Sequence, residues 1–234
     1  MKIMTIVGTR PEIIKLSRTI YELDKTFNNI LVNTNQNFSY ELGKIFFKDL
    51  SIRKPDYNLT VDNKINFKTI SKTINDCGQI MIKEKPDLVV ILGDTNSSYA
   101  AISAKKLRIP IFHLEAGNRC FDQDVPEEIN RRIIDHTSEI NLVYTEHARQ
   151  NLIREGIHPQ TIIKTGSPMK EVIDFYRDKI DKSKILEKLR ISKNNYTIIS
   201  IHRNENLDNE KNLNEILKSL ELLSKTNRKI IFST

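Results

Sequence analysis

Short apolar runs alternate along most of the chain with stretches whose hydrophobic residues recur at helical spacing. Residues 2–7, 30–33, 88–92, 110–114, 140–144 and 161–164 are compact runs rich in Ile, Val and Leu, which predicts buried strands. Between them, residues 11–23, 40–47, 67–85, 99–107, 126–136, 146–155 and 169–178 carry the period of amphipathic helices. Pro11 and Pro126 stand where a first helical residue would, and Gly156 where a helix would stop. Alternation of this kind builds a parallel sheet covered on both faces, so the predicted class is α/β.

After Lys179 the texture changes. Residues 182–189 predict a charged helix and 192–195 a turn. A fresh unit follows, with a strand over 196–201, a helix over 209–223 and a strand over 229–233. A last strand with no helix to cover it leaves an open edge. The expected organisation is a complete first domain over residues 1–178. Residues 179–234 then supply a linker helix and the truncated start of a second domain.

Composition adjusts this picture only at its margins. With 38% hydrophobic and 29% charged residues, the 234-residue chain is not a disordered one. The net charge is +7, but basic and acidic residues interleave, no basic stripe carries aromatics, and there is no Trp. That pattern argues against nucleic acid and suits a small polyanionic substrate equally well. The longest aliphatic run, residues 88–92, is far too short for a membrane span, and the first seven residues read as a strand rather than a leader. Cys77 and Cys120 give neither a disulfide framework nor metal-ligand spacing. A cytoplasmic location, with no membrane and no metal, is the expectation.

Polar residues that interrupt the apolar pattern cluster where strands end. Gly8-Thr9-Arg10-Pro11-Glu12 opens a helix after the first strand, where free N–H groups and the guanidinium of Arg10 suit an anion, with Lys15 one turn on. A tight turn with a surface Arg explains the same residues. Asp94, in Gly93-Asp94-Thr95, follows the most apolar strand and is either a helix cap or a functional carboxylate. In His113-Leu114-Glu115-Ala116-Gly117, alternation puts His113 and Glu115 on one face, and Gly117 permits a turn that aims Glu115 into a crevice. A structural pair of Glu115 with Arg119 is the competing account. Glu127 with Arg131 and Glu128 with Arg132 are i,i+4 pairs that stabilise a helix start. His202-Arg203 ends the first strand of the second unit, as a phosphate contact or a capping turn. His136, His147 and His158 read as structural.

Taken together, these five clusters stand in the order and spacing of one known family. The chain resembles the non-hydrolysing UDP-N-acetylglucosamine 2-epimerases over its whole length. The resemblance implies a GT-B-like pair of Rossmann-like domains, complete in the N-terminal half and partial in the second, holding a UDP-sugar. It implies C2 epimerisation by UDP elimination and re-addition, with no cofactor. Asp94, Glu115 and Glu127 would be the catalytic carboxylates, and Arg10, Lys15 and His202 would bind the nucleotide side. The run from Glu115 to Gln123, Asp135-His136, Gln36-Asn37 and Tyr40-Glu41-Leu42 are similar to the subgroup acting on a 2,6-dideoxy UDP-sugar on the route to UDP-N-acetyl-L-fucosamine. Asn35, Asp124 and Asn204 depart from the family pattern. The alternative is an inactive or split fragment that only binds a sugar nucleotide or a partner chain. The partners expected are a UDP-N-acetylhexosamine and either a second copy or a complementing C-terminal half.

Overall fold

The computed structural model describes residues 1–36, 44–59, 66–201, 209–225 and 228–233. It divides into two units, Met1–Tyr176 and Arg177–Thr234. The boundary therefore lies two residues before the expected one.

The first unit is built on seven parallel strands: β1 (Lys2–Val7), β2 (Asn28–Asn33), β3 (Tyr57–Asn58), β4 (Leu88–Leu92), β5 (Ile111–Leu114), β6 (Ile140–Val143) and β7 (Ile162–Lys164). Their order in the sheet is β3-β2-β1-β4-β5-β6-β7. Helices α1 (Arg10–Thr26), α2 (Lys44–Asp49), α3 (Asn66–Glu84), α4 (Ala100–Lys106), α5 (Pro126–Thr137), α6 (Glu146–Arg154) and α7 (Met169–Phe175) connect and cover the strands. All six predicted strands of this unit are present. Strand β3 escaped prediction because two edge residues, Tyr57 and Asn58, carry no legible period. Residues 40–43 of the second predicted helix lie outside the described residues.

Both faces of the sheet are covered, so the central strands are buried almost throughout. Met4, Ile6, Val32, Val89 and Ile91 pack with Cys77, Met81, Ala101 and Ala104 of α3 and α4. On the other face Val7, Leu31 and Leu92 meet Ile13, Leu16 and Ile20 of α1. A third cluster joins Ala116 and Val143 to Ala148 and Leu152 of α6. Gly117 is required there: at φ +78°, an added Cβ would stand 2.4 Å from the Ala148 carbonyl oxygen. The helix predicted over 169–178 breaks at Tyr176, a buried residue whose hydroxyl donates to the Leu50 carbonyl at 2.5 Å. That contact ties the end of the first unit to the loop after α2. Among the described residues no helix is long and apolar enough to cross a membrane.

The second unit holds the short helices α8 (Arg177–Asp181) and α9 (Ile185–Lys188), and α10 (Glu210–Ser224). Strands β8 (Tyr196–Ser200) and β9 (Lys229–Ser233) pair in parallel. None of its described residues is buried. Ile198, Leu217 and Leu222 are more than half exposed, and a groove of about 450 Å³ runs between β8 and α10 past Ile199, Ile216, Leu220 and Leu223. Two parallel strands and one long helix cannot cover both sheet faces. Limited proteolysis is therefore expected to cut first within residues 177–234, leaving a resistant fragment that ends near Tyr176. Mass spectrometry of the digest checks this, and first cleavage inside the sheet of the first unit would contradict it.

Candidate functional site

Strand β1 lies inside the sheet, with β2 and β3 on one side and β4 to β7 on the other. The strand order thus reverses between β1 and β4, and the carboxyl ends of those strands open the crevice where α/β sheets take ligands. Arg10 and Lys15 follow β1, Asp94 follows β4 and Glu115 follows β5.

Several of the predicted residues meet there. The Lys15 ammonium lies 2.6 Å from Glu115 Oε2, across a hundred residues of sequence. Glu115 reaches toward the β4 turn, since a Cβ added at Gly93 would lie 4.0 Å from the same Oε2. Asp94 accepts a 2.7 Å ion pair from Arg131, while Asn130 Nδ2 donates to the Asp94 backbone carbonyl at 2.7 Å. Burial raises the Asp94 pKa above the ordinary value, the Arg131 charge opposes this, and the charges of Glu115 and Glu127 add to it. Glu127 itself is exposed at the start of α5, and Arg10 is exposed at the first residue of α1. His202 lies outside the described residues.

Four sequence expectations need correction. Strict alternation stops at Leu114, so Glu115 is not on the strand; it makes the turn itself at φ +68°. A residue other than Gly in the left-handed region is a strained one, and such strain gathers at functional sites. Glu115 pairs with Lys15 instead of Arg119, whose guanidinium is engaged by Asp135 and Glu155. Arg131 does not pair with the Glu127 carboxylate; it bonds the Glu127 carbonyl, Asp94 and Glu128, while the Glu128–Arg132 pair does form. Finally, the N–H groups of Gly8 and Thr9 are not free for an anion, because the Glu12 carboxylate accepts both, at 2.5 and 3.2 Å.

Other residues entered without being anticipated. Glu12 is buried and takes hydroxyl donors from Thr95 and Ser97 in addition to those two N–H groups. Burial raises its pKa, against the pull of these hydrogen bonds. The pattern Thr9-x-x-Glu12 is a capping-box signature, and it was the available signal. Glu128 is also buried. Burial would raise its pKa, but the Cys120 N–H, Arg132 and the Cys120 thiol hold it below the ordinary value. The Tyr144 hydroxyl is buried without a partner among the described residues, and burial with the nearby Glu115 charge raises its pKa. Beneath the site runs a charged chain. His113 meets Asp135, Asp135 meets Arg119, and Arg119 grips Glu155 through two bonds of 2.7 and 2.6 Å. Among the described residues no group of His, Cys, Asp or Glu is arranged to hold a metal ion.

Carboxylates of differing burial, a lysine and an arginine at one crevice can move protons beside a bound anion. A family model described as UDP-N-acetylglucosamine 2-epimerase matches residues 21–234. A Methanococcus maripaludis protein described as a UDP-N-acetylglucosamine 2-epimerase homolog is 42% identical, covering 99% of this chain and 65% of its own. The solved UDP-N-acetylglucosamine 2-epimerase of Rickettsia bellii is 52% identical with a TM-score of 0.92, over 100% of this chain and 62% of that one. The Methanocaldococcus jannaschii enzyme, crystallised with UDP-GlcNAc and UDP, is 37% identical with a TM-score of 0.92, over 100% and 66%. The chain thus spans between 51% and 65% of the length of the curated relatives it matches.

Proposed function

The chain belongs to the UDP-N-acetylglucosamine 2-epimerase family, and from that premise we propose that the carboxyl edge of its first sheet epimerises C2 of a UDP-linked N-acetylhexosamine. What carries this reading is the arrival of Lys15, Asp94 and Glu115 at one crevice from three separate elements. A base removes the C2 proton, the C1–oxygen bond breaks, and UDP departs with the bonding electrons to leave a glycal. A proton is then delivered to the opposite face of C2, and UDP adds back to C1. Such a path needs proton-transfer groups on both faces of the ring and cations beside the diphosphate. Asp94, Glu115 and Glu127 are our candidates for the first task, and Arg10, Lys15 and His202 for the second. Burial raises the Asp94 pKa against the pull of the Arg131 charge, a balance that suits a group exchanging protons. The free cysteines, Cys77 buried and Cys120 exposed, are in keeping with a cytoplasmic location.

Incubation in heavy water tests the reaction class. Solvent deuterium is expected at C2 of the UDP-sugar, and a product pool that stays fully protonated there would end the proposal. The exposed second unit favours one refinement: the 234 residues alone bind the sugar nucleotide weakly, and turnover follows when a complementing C-terminal half is supplied. For the substrate we propose the 2,6-dideoxy sugar, on the run from Glu115 to Gln123. UDP-2-acetamido-2,6-dideoxy-L-talose is then expected to exceed UDP-N-acetylglucosamine in kcat/KM by roughly 10–200-fold, the range one hydrophobic pocket can supply. Equal or better use of UDP-N-acetylglucosamine would refute that preference.

A further inference from the structure

His113 is almost fully buried on β5, and each of its ring nitrogens faces an oxygen. Nδ1 is 2.9 Å from Asp135 Oδ1, and Nε2 is 3.0 Å from the Gly93 carbonyl oxygen. A carbonyl only accepts, so Nε2 must donate. Asp135 already receives the Gly117 N–H at 3.2 Å on each oxygen and the Arg119 guanidinium at 2.7 Å. Placing a proton on Asp135 would set a neutral acid against a buried cation, so the carboxylate accepts from Nδ1 as well. A neutral imidazole donates from one nitrogen only; two donors require the imidazolium. The buried charges then balance: His113 and Arg119 against Asp135 and Glu155, with His136 at the surface 3.1 Å from Glu155.

The position of this cation matters more than its balance. Gly93 is the residue before Asp94, at φ +77°. Its N–H donates to the Leu114 carbonyl at 3.0 Å, while its carbonyl accepts from His113. The turn presenting Asp94 is therefore fastened to β5 through both backbone polar groups of one residue. We infer that His113 is a charged positioning residue, protonated on both nitrogens, which fixes the Gly93–Asp94 turn and gives Asp94 a buried positive neighbour. The assignment rests on the proposed role of Asp94. The charged groups facing Asp94 are Arg131 and Glu127 from α5, Glu115 from the β5 turn and His113 from β5, and the His113 charge acts to lower its pKa.

Two measurements on the whole chain test this without turnover, so a failed deuterium assay and a failed His113 assignment stay distinct. In protein labelled with ¹⁵N-histidine, both His113 ring nitrogens are expected to show the protonated signal at pH 7. An unprotonated signal from either nitrogen overturns the inference, whatever becomes of any variant. In His113→Gln, the Asp94 carboxyl followed by ¹³C NMR is expected to titrate at higher pH than in the parent chain, as loss of an opposite charge requires. A folded variant whose Asp94 midpoint stays in place overturns the positioning role. If the variant does not fold, the ring signals of the unaltered protein still decide.

Discussion

With the complementing C-terminal half supplied, changing Glu115 to Gln is expected to lower turnover of the UDP-sugar by roughly 10²–10⁴-fold, the range of a general acid–base contribution. The amide keeps the size of the side chain and its place beside Gly93, so the left-handed turn at residue 115 survives. What is lost is the capacity to exchange a proton and the 2.6 Å ion pair with Lys15. Substrate binding should therefore fall far less than kcat. Asp94→Asn is expected to act likewise, with a further cost, because Arg131 loses the nearer of its two anionic partners, at 2.7 Å. Glu127→Gln is the discriminating member of the set. Its carboxylate is exposed and its charge reaches Asp94. A loss of kcat there with the Asp94 titration unchanged would put the group on the reacting sugar, since its charge on Asp94 is the other route to the chemistry. Normal turnover in all three amide variants would sink the mechanism and leave the fold untouched.

The hydrophobic pattern was enough for the sheet, because buried parallel strands such as β4 are nearly all Val, Ile and Leu, while α1 and α3 carry long, regular stripes. It was also enough to bring polar residues to one edge, since strand ends in such a sheet share a side. Pairing is another matter. The sequence offered Arg119 and Arg131 as near neighbours of Glu115 and Glu127, but Glu115 found Lys15, a hundred residues away. Contacts made across β1, β4 and β5 depend on strand order, which spacing along the chain does not encode. The burial of Glu12, Glu128 and Asp135 was missed for a related reason. A buried carboxylate looks like a surface one until its donors are in view, and those donors are the Gly8 N–H, the Cys120 N–H and Arg119.

Replacing Arg119 by Met should cost about 3–5 kcal/mol of stability, the penalty for stranding the partners of a buried ion pair. The guanidinium is fully buried and holds two anions, Asp135 at 2.7 Å and Glu155 at 2.7 and 2.6 Å. Met fills similar space but supplies no donor, so Asp135 keeps His113 and the Gly117 N–H while Glu155 keeps His136 and the Arg132 charge. The pH dependence gives this prediction a second edge. Hydrogen bonding from Arg119 is the chief reason the Glu155 pKa falls from 4.5 to about 2. A carboxylate with a depressed folded-state pKa stabilises the fold above its unfolded value and loses that contribution as pH falls toward the folded one. The unaltered chain should therefore weaken between pH 4.5 and about 2 through this group. The Arg119→Met variant, already weaker at neutral pH, should show a shallower decline over the same window. Urea unfolding followed by circular dichroism at a series of pH values measures both effects. An unchanged midpoint at pH 7, or an acid slope equal to that of the parent chain, would mean that the Arg119 chain of charges does not hold the floor of the site.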